Sequence, residues 1–258
     1  MKEIIKVPGH LQWHDYTKNI VLKNGLRMAY MEAGNPEGEV IIMIHGFSDS
    51  SRIWRSTILE GLDEKYHIYA VDLRGFGQSD KPEQFIYTMT QHAEDIIDFM
   101  NVMEIPQAYL IGHSMGSVIA QTVAFSAADR IKKVILASTM MHMHESPKEV
   151  RDVRQLYENM DLTGSSDEDL KKEFLPFAHK NKDKTFAEGY LTTLRGLTGN
   201  SLRAAWLGMS VTDNRNLVQF ITAKILILWG TEDGIFTREY QEEVKECLPD
   251  AQFVELSG

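Results

Sequence analysis

The stretch Ala108-Tyr109-Leu110-Ile111-Gly112-His113-Ser114-Met115-Gly116-Ser117-Val118-Ile119-Ala120 decides how this chain is read. Ala108–Ile111 is a short apolar run suited to a buried strand, and Met115–Ala128 carries a helix-length apolar pattern. Between them stands Gly-x-Ser-x-Gly. A serine in a sharp strand-to-helix turn is lifted above the sheet, and small residues on both sides let the strained backbone pass close to its neighbours. The helix start also leaves N–H groups free to face a developing anion. The five-residue pattern alone is weak; its place between strand and helix gives it weight.

Outward from this turn the same alternation repeats. Val40–Ile44 reads as a buried strand, followed by a glycine-containing turn and a helix near Arg52–Leu62. Ile68–Val71 is the next strand and leads into the turn-rich Asp72–Pro82. Met89, Ala93, Ile96, Ile97, Met100 and Met103 mark one face of a helix. Further strands are expected at Val134–Ala137, Ile225–Trp229 and Gln252–Leu256, with a helix over about Thr237–Leu248 that buries Cys247. Asn24-Gly25, between short strands near Asn19–Lys23 and Leu26–Ala33, signals a hairpin. The pattern predicts an α/β fold: a mostly parallel sheet with an antiparallel N-terminal hairpin and helices on both faces. From Met140 to about Arg215 the chain is polar and helix-favouring without a clear buried strand. The expected division is therefore a core of residues 1–139 and 215–258 with a helical cap inserted over 140–214.

Composition narrows the function. The 258 residues include 27 basic and 37 acidic side chains, for a net charge of −10. No basic face is available for nucleic acid. The single cysteine, Cys247, excludes an intrachain disulfide framework and a cysteine-based zinc site. Apolar runs of about five residues fall far short of a membrane span. The first 25 residues are polar and carry no signal-peptide core. A soluble, cytoplasmic protein is expected, with no membrane partner; nothing in the sequence sets an oligomeric state.

Three more motifs stand at strand ends: His45-Gly46-Phe47 after Val40–Ile44, Asp72-x-Arg74-Gly75-x-Gly77-x-Ser79 after Ile68–Val71, and Trp229-Gly230-Thr231-Glu232-Asp233 at the end of Ile225–Trp229. Active-site crevices of α/β sheets lie at such carboxyl edges. With the Gly-His-Ser-Met-Gly turn they resemble, over nearly the whole chain, the α/β-hydrolase superfamily in its cap-bearing serine esterase/lactonase branch. The resemblance implies that Ser114 is the nucleophile and that Asp233 orients a histidine base. It further implies that the backbone N–H groups of Phe47 and Met115 hold the oxyanion, and that the Arg74 loop is architectural. Asp233 has rivals in Glu232 and in Glu145, which follows the strand after the turn. His45 is expected to brace the oxyanion loop and His113 to point away from Ser114. Both are placed around a substrate pocket together with Met140, Met141 and Met143, whose flexible thioethers suit irregular apolar shapes.

The family keeps its catalytic histidine just beyond the last strand. Here that strand runs into Leu256-Ser257-Gly258, and none of the nine histidines follows Asp233. The expectation is that the polypeptide continues into a histidine-bearing loop and a closing helix, without which apolar sheet surface stays uncovered. His142 and His144 are the upstream alternatives for the base; His10, His14, His67, His92 and His179 read as surface or packing residues. The expected chemistry is acyl transfer to water from a small to medium, mostly apolar, uncharged ester or lactone, with no cofactor and no metal. Ser114 argues against epoxide hydrolases and haloalkane dehalogenases, which carry aspartate at that place. C–C bond hydrolases and perhydrolases share the serine, and a non-catalytic ligand-binding or sensor protein on the same scaffold is the reading from another class.

Overall fold

Eight strands form one sheet in the order β1-β2-β4-β3-β5-β6-β7-β8 in the computed structural model, which describes residues 3–159, 162, 164–174 and 184–257. The strands are β1 Lys18–Val21, β2 Arg27–Gly34, β3 Glu39–Ile44, β4 Tyr66–Val71, β5 Ala108–His113, β6 Ile131–Ala137, β7 Lys224–Gly230 and β8 Gln252–Leu256. β2 runs antiparallel to both β1 and β4, and every pair from β4 through β8 is parallel. The β1–β2 turn is made at Gly25, whose φ of +84° suits glycine, while the Asn24 side chain accepts from the Leu26 N–H at 3.0 Å.

Among the described residues seven helices of two turns or more accompany the sheet: α1 Met89–Val102, α2 Met115–Ser126, α3 Pro147–Glu158, α4 Asp167–Phe174, α5 Lys184–Arg195, α6 Gly199–Ser210 and α7 Arg238–Cys247. A capping box between Thr88 and Gln91 starts α1. The central strands are buried on both faces, which is why they read as unbroken apolar runs. Ile42, Ile44, Tyr69 and Val71 pack with α1 and α2 through Phe99, Val118 and Ile119. Their neighbours Ile41, Met43, Ile68 and Ala70 pack on the other side with Trp13, Trp54 and Ile58. The segment before β4 departs from the single helix expected near Arg52–Leu62. It is a 3-10 turn at Ser51–Trp54, one α turn at Arg55–Thr57 and a wider turn over Ile58–Leu62, broken where Gly61 takes φ +95°. Towards the β8 edge, Ile135, Leu226, Leu228 and Val254 are only half-buried.

Helices α3 to α6 all lie between β6 and β7, and α3 packs on α6. Residues 160–161, 163 and 175–183 of this stretch lie outside the described residues. Its two ends meet: His142 bridges Asp213, and the Asn214 N–H donates to the Met141 carbonyl at 2.9 Å. The Asn214 amide also donates to Gln121 Oε1 on α2 at 2.9 Å, pinning that junction to the core.

The loop after β4 is built from buried polar contacts. Asp72 accepts from the N–H groups of Ser51 and Gln78 at 2.7 and 2.8 Å. A Cβ on Gly77 would stand 2.2 Å from an Asp72 carboxylate oxygen, so only glycine fits there. Arg74 forks onto fully buried Asp95 of α1 with two bonds of 2.6 Å, and Asn24 donates to the same carboxylate at 2.8 Å. Asp95→Ala strands the Arg74 charge in a site only 8% exposed. That loss is expected to cost about 3–5 kcal/mol in urea unfolding, and a cost within about 0.5 kcal/mol would show that water replaces the pair.

Burial also sets a pH dependence. His92 is fully buried with neither ring nitrogen hydrogen-bonded, and burial holds it well below the ordinary histidine value of 6.5. Burial lowers His45 and His113 as well. The unfolded chain therefore takes up protons first on acidification, so the stability these rings contribute is complete above 6.5 and is lost as the pH falls below it. The melting temperature is expected to drop between about pH 7.5 and 5.5, with a shallower slope in His92→Leu; an unchanged slope in that variant would remove His92 from the account.

Candidate active site

Ser114 joins β5 to α2 with φ +53° and ψ −124°, a conformation that costs a non-glycine residue on the order of 1–3 kcal/mol. Three contacts hold it. Its N–H donates to the Ala137 carbonyl at 2.9 Å, and its own carbonyl accepts from the Ser117 N–H at 2.8 Å and lies 2.6 Å from the Ser117 hydroxyl. The flanking glycines are sterically required. A Cβ on Gly112 would sit 2.4 Å from the Gly116 carbonyl oxygen, and one on Gly116 would sit 2.2 Å from that of Ile44.

The loop after β3 closes over this turn, since a Cβ on Gly46 would lie 3.0 Å from Ser114 Cβ and 3.1 Å from His113 Nδ1. Phe47 follows Gly46, and Met115 is the first residue of α2. Among the described residues no acceptor is found for the N–H of either. Two free donors thus come from the two chain segments that meet at the Ser114 turn.

Ser114 opens onto a cavity of ≈ 480 Å³. Gly46, Phe47, Ser48 and Asp49 form one wall, with His113 beside Ser114. Met140, Met143 and Glu145, from the chain leaving β6, form the next. Tyr157, Phe174, Tyr190, Trp206 and Met209 come from α3 to α6, and Ile235, Phe236 and Tyr240 close the side towards α7. Phe47, Tyr157 and Trp206 contact one another ring to ring, with centroids 5.4–6.3 Å apart. Among the described lining residues the charged groups are the carboxylates of Asp49 and Glu145; none is lysine or arginine.

His113 Nδ1 is buried without a hydrogen-bond partner. Burial pushes its imidazole below the usual range, against the upward pull of Asp49 and Asp233. Asp233 sits in the turn after β7, where its Oδ1 accepts from the N–H groups of Ile235 and Phe236 at 2.9 and 3.0 Å. The Thr231 N–H donates to the Leu256 carbonyl at 2.9 Å, so the end of β8 lies beside this turn. Of the two rival acids, Glu232 is exposed, whereas Glu145 lines the cavity and accepts from the Tyr240 hydroxyl at 3.4 Å.

Two residues expected in the pocket are elsewhere. His45 is fully buried beneath it: its Nε2 accepts from the Leu73 N–H at 3.0 Å, which leaves the proton on Nδ1 to bond the Gly46 carbonyl at 2.7 Å. Met141 is also fully buried, turned into the core while its carbonyl receives Asn214. His142 and His144, the upstream alternatives for a base, face Glu243 and not Ser114. His179 lies outside the described residues. The sequence reading passed over Asp49 and the aromatic wall. Asp49 was within reach of it, two residues beyond Phe47, but Tyr190 and Trp206 stand in polar helical text that carries no site signal.

A hydroxyl on a strained turn above an apolar cavity can act as a nucleophile, and free N–H donors beside it can receive an anionic oxygen. The chain is 29% identical over 252 residues to Lipase 3 of Moraxella sp. (strain TA144), covering 93% of this chain and 77% of the lipase. It superposes on a thermophilic esterase from Thermogutta terrifontis with a TM-score of 0.78 at 25% identity, covering 93% and 89% of the two chains. It shares its fold with the enol-lactonase from Burkholderia xenovorans LB400, with a TM-score of 0.82 at 20% identity over 93% and 91% of the chains. The family model described as alpha/beta hydrolase fold matches residues 39–258. The chain belongs to the alpha/beta hydrolase fold family.

Proposed function

We propose that this protein is a serine hydrolase that cleaves a small to medium, mostly apolar carboxylic ester or lactone through an acyl-enzyme on Ser114. The observation that carries this reading is the strained Ser114 turn at the wall of a largely aromatic and methionine-lined cavity. In the proposed sequence Ser114 Oγ adds to the carbonyl carbon while its proton passes to a general base. The N–H groups of Phe47 and Met115 take the oxyanion, the alcohol departs, and water releases the acid. Asp233 is assigned to orient the base. The two carboxylates in the lining disfavour anionic substrates, and helices α3 to α6 act as the cap that sets substrate choice, with Met140 and Met143 on its inner side.

One observation favours a second reading, a ligand-binding protein on the same scaffold. Among the described residues no histidine is hydrogen-bonded to Ser114. The two readings separate in a pre-steady-state assay with a short-chain p-nitrophenyl ester. A stoichiometric p-nitrophenolate burst with an acylated Ser114 peptide is expected, and Ser114→Ala is expected to abolish it, as loss of such a nucleophile costs roughly 10⁶ in kcat. A burst that survives in the alanine variant, or none from the parent protein, would reject the serine hydrolase reading. Trp206→Ala, which enlarges the cavity from the α6 side, is expected to shift the preferred acyl chain to greater length. An unchanged chain-length profile would place the acyl group elsewhere.

A further inference from the structure

His142, His144 and Glu243 converge outside the cavity. The chain leaving β6 is extended here, as the antiparallel bridge between His142 and Asp213 shows, and alternate residues of extended chain project to one side. Met143, between the two histidines, lines the cavity. His142 Nδ1 lies 3.1 Å and His144 Nε2 3.5 Å from the same oxygen, Oε2, of Glu243 on α7. All three potential ligand atoms fall within 4.8 Å of one another. The ring of His144 stacks on Tyr240 with centroids 3.9 Å apart, and its backbone N–H donates to the Tyr240 hydroxyl at 2.9 Å, so this imidazole is held in place.

Two imidazole nitrogens and one carboxylate oxygen make up a ligand set that suits Zn²⁺. With bonds of about 2.0–2.2 Å in a tetrahedral site, neighbouring ligand atoms stand about 3.3–3.6 Å apart. The observed separations from Glu243 are close to that spacing before any ion draws the groups together. The surrounding charge also favours a cation. Arg215 lies 3.7 Å from Glu243 Oε1 but is bonded to Asp213, so the two carboxylates outnumber the one guanidinium. The three side chains are 25%, 28% and 18% exposed, which leaves room for solvent in a fourth position.

We propose that His142, His144 and Glu243 bind one divalent transition-metal ion of the zinc class, with water as the fourth ligand. The ion ties the chain that carries Met140 and Met143 to the helix that carries Tyr240, and so fixes two walls of the cavity from behind. It stands apart from Ser114 and takes no part in bond cleavage, so the site is independent of the hydrolase reading.

The test is a Zn²⁺ titration of the 258-residue protein against a chromophoric chelator, with Co²⁺ as a spectroscopic probe. One bound equivalent is expected, together with the intense visible bands of four-coordinate Co²⁺. His144→Ala and Glu243→Gln are each expected to weaken Zn²⁺ binding by at least about tenfold and to erase the Co²⁺ bands. His67→Ala, which removes a histidine paired with Glu32 on the far side of the sheet, is expected to change neither. Circular dichroism checks that each variant is folded, and the near-isosteric Gln variant decides the matter if His144→Ala is not. Absence of stoichiometric binding, equal binding in the Gln variant, or an equal loss in His67→Ala would overturn the proposal.

Discussion

The Ile44 carbonyl passes so close to Gly116 that no side chain fits between them. Much of the functional architecture depends on this approach of two backbones. It brings the carboxyl end of β3 against the first turn of α2, and with it the loop of Gly46 and Phe47 against Ser114. Because β3 and β5 are paired neighbours in the sheet, their ends can meet only if the turn after β5 is tight. A tight turn forces Ser114 into its unfavourable φ and ψ, and the cost is borne by the hydrogen bond to Ala137 and the contacts with Ser117. The strained Ser114 turn and the free N–H groups beside it are thus consequences of a single packing constraint.

The helices between β6 and β7 are fastened to this core at two further joints. One is the Met141–Asn214 contact, where entering and leaving chain meet over Gln121. The other is Arg52, fully buried, which donates to the Phe186 carbonyl at 3.1 Å and places its guanidinium over the rings of Phe186 and Tyr190. Burial lowers the pKa of Arg52, opposed by Asp49, whose carboxylate is 3.8 Å away. A cation set against two neighbouring aromatic rings holds α5 against the segment that follows β3. It therefore fixes the distance between the Ser48–Asp49 wall and the opposite side of the cavity.

What the sequence made legible is what short-range physics encodes. Runs such as Val40–Ile44 announce strands buried on both faces, Asn24-Gly25 announces a turn, and the glycines around Ser114 announce a backbone that must pass close to another. The break after β6 was visible because buried strands cease to appear there. What stayed hidden depends on partners distant in the chain. His45 looked like a pocket residue until Leu73 supplied the N–H that turns its ring inwards. Met141 and Met143 are indistinguishable by composition, yet one is fully buried in the core and the other lines the cavity. His142 and His144 read only as alternatives for the base, because Glu243, which they face, comes from distant α7, and Arg52 gives no hint that it will be buried among aromatic rings.

The sheet also tolerates a long detour. β6 and β7 pair in register from Lys133 with Lys224 to Ala137 with Leu228, although everything from Ser138 to Ala223 intervenes. The entropy lost in closing a chain loop grows only with the logarithm of its length, by about 0.6 kcal/mol per doubling. Lengthening or shortening the detour therefore hardly alters the free energy of joining the two strands, provided that its ends still meet at Met141 and Asn214. The roof over Ser114 can be remodelled by insertion and deletion while the register beneath it stays fixed, which makes this junction a favourable place for the fold to diversify.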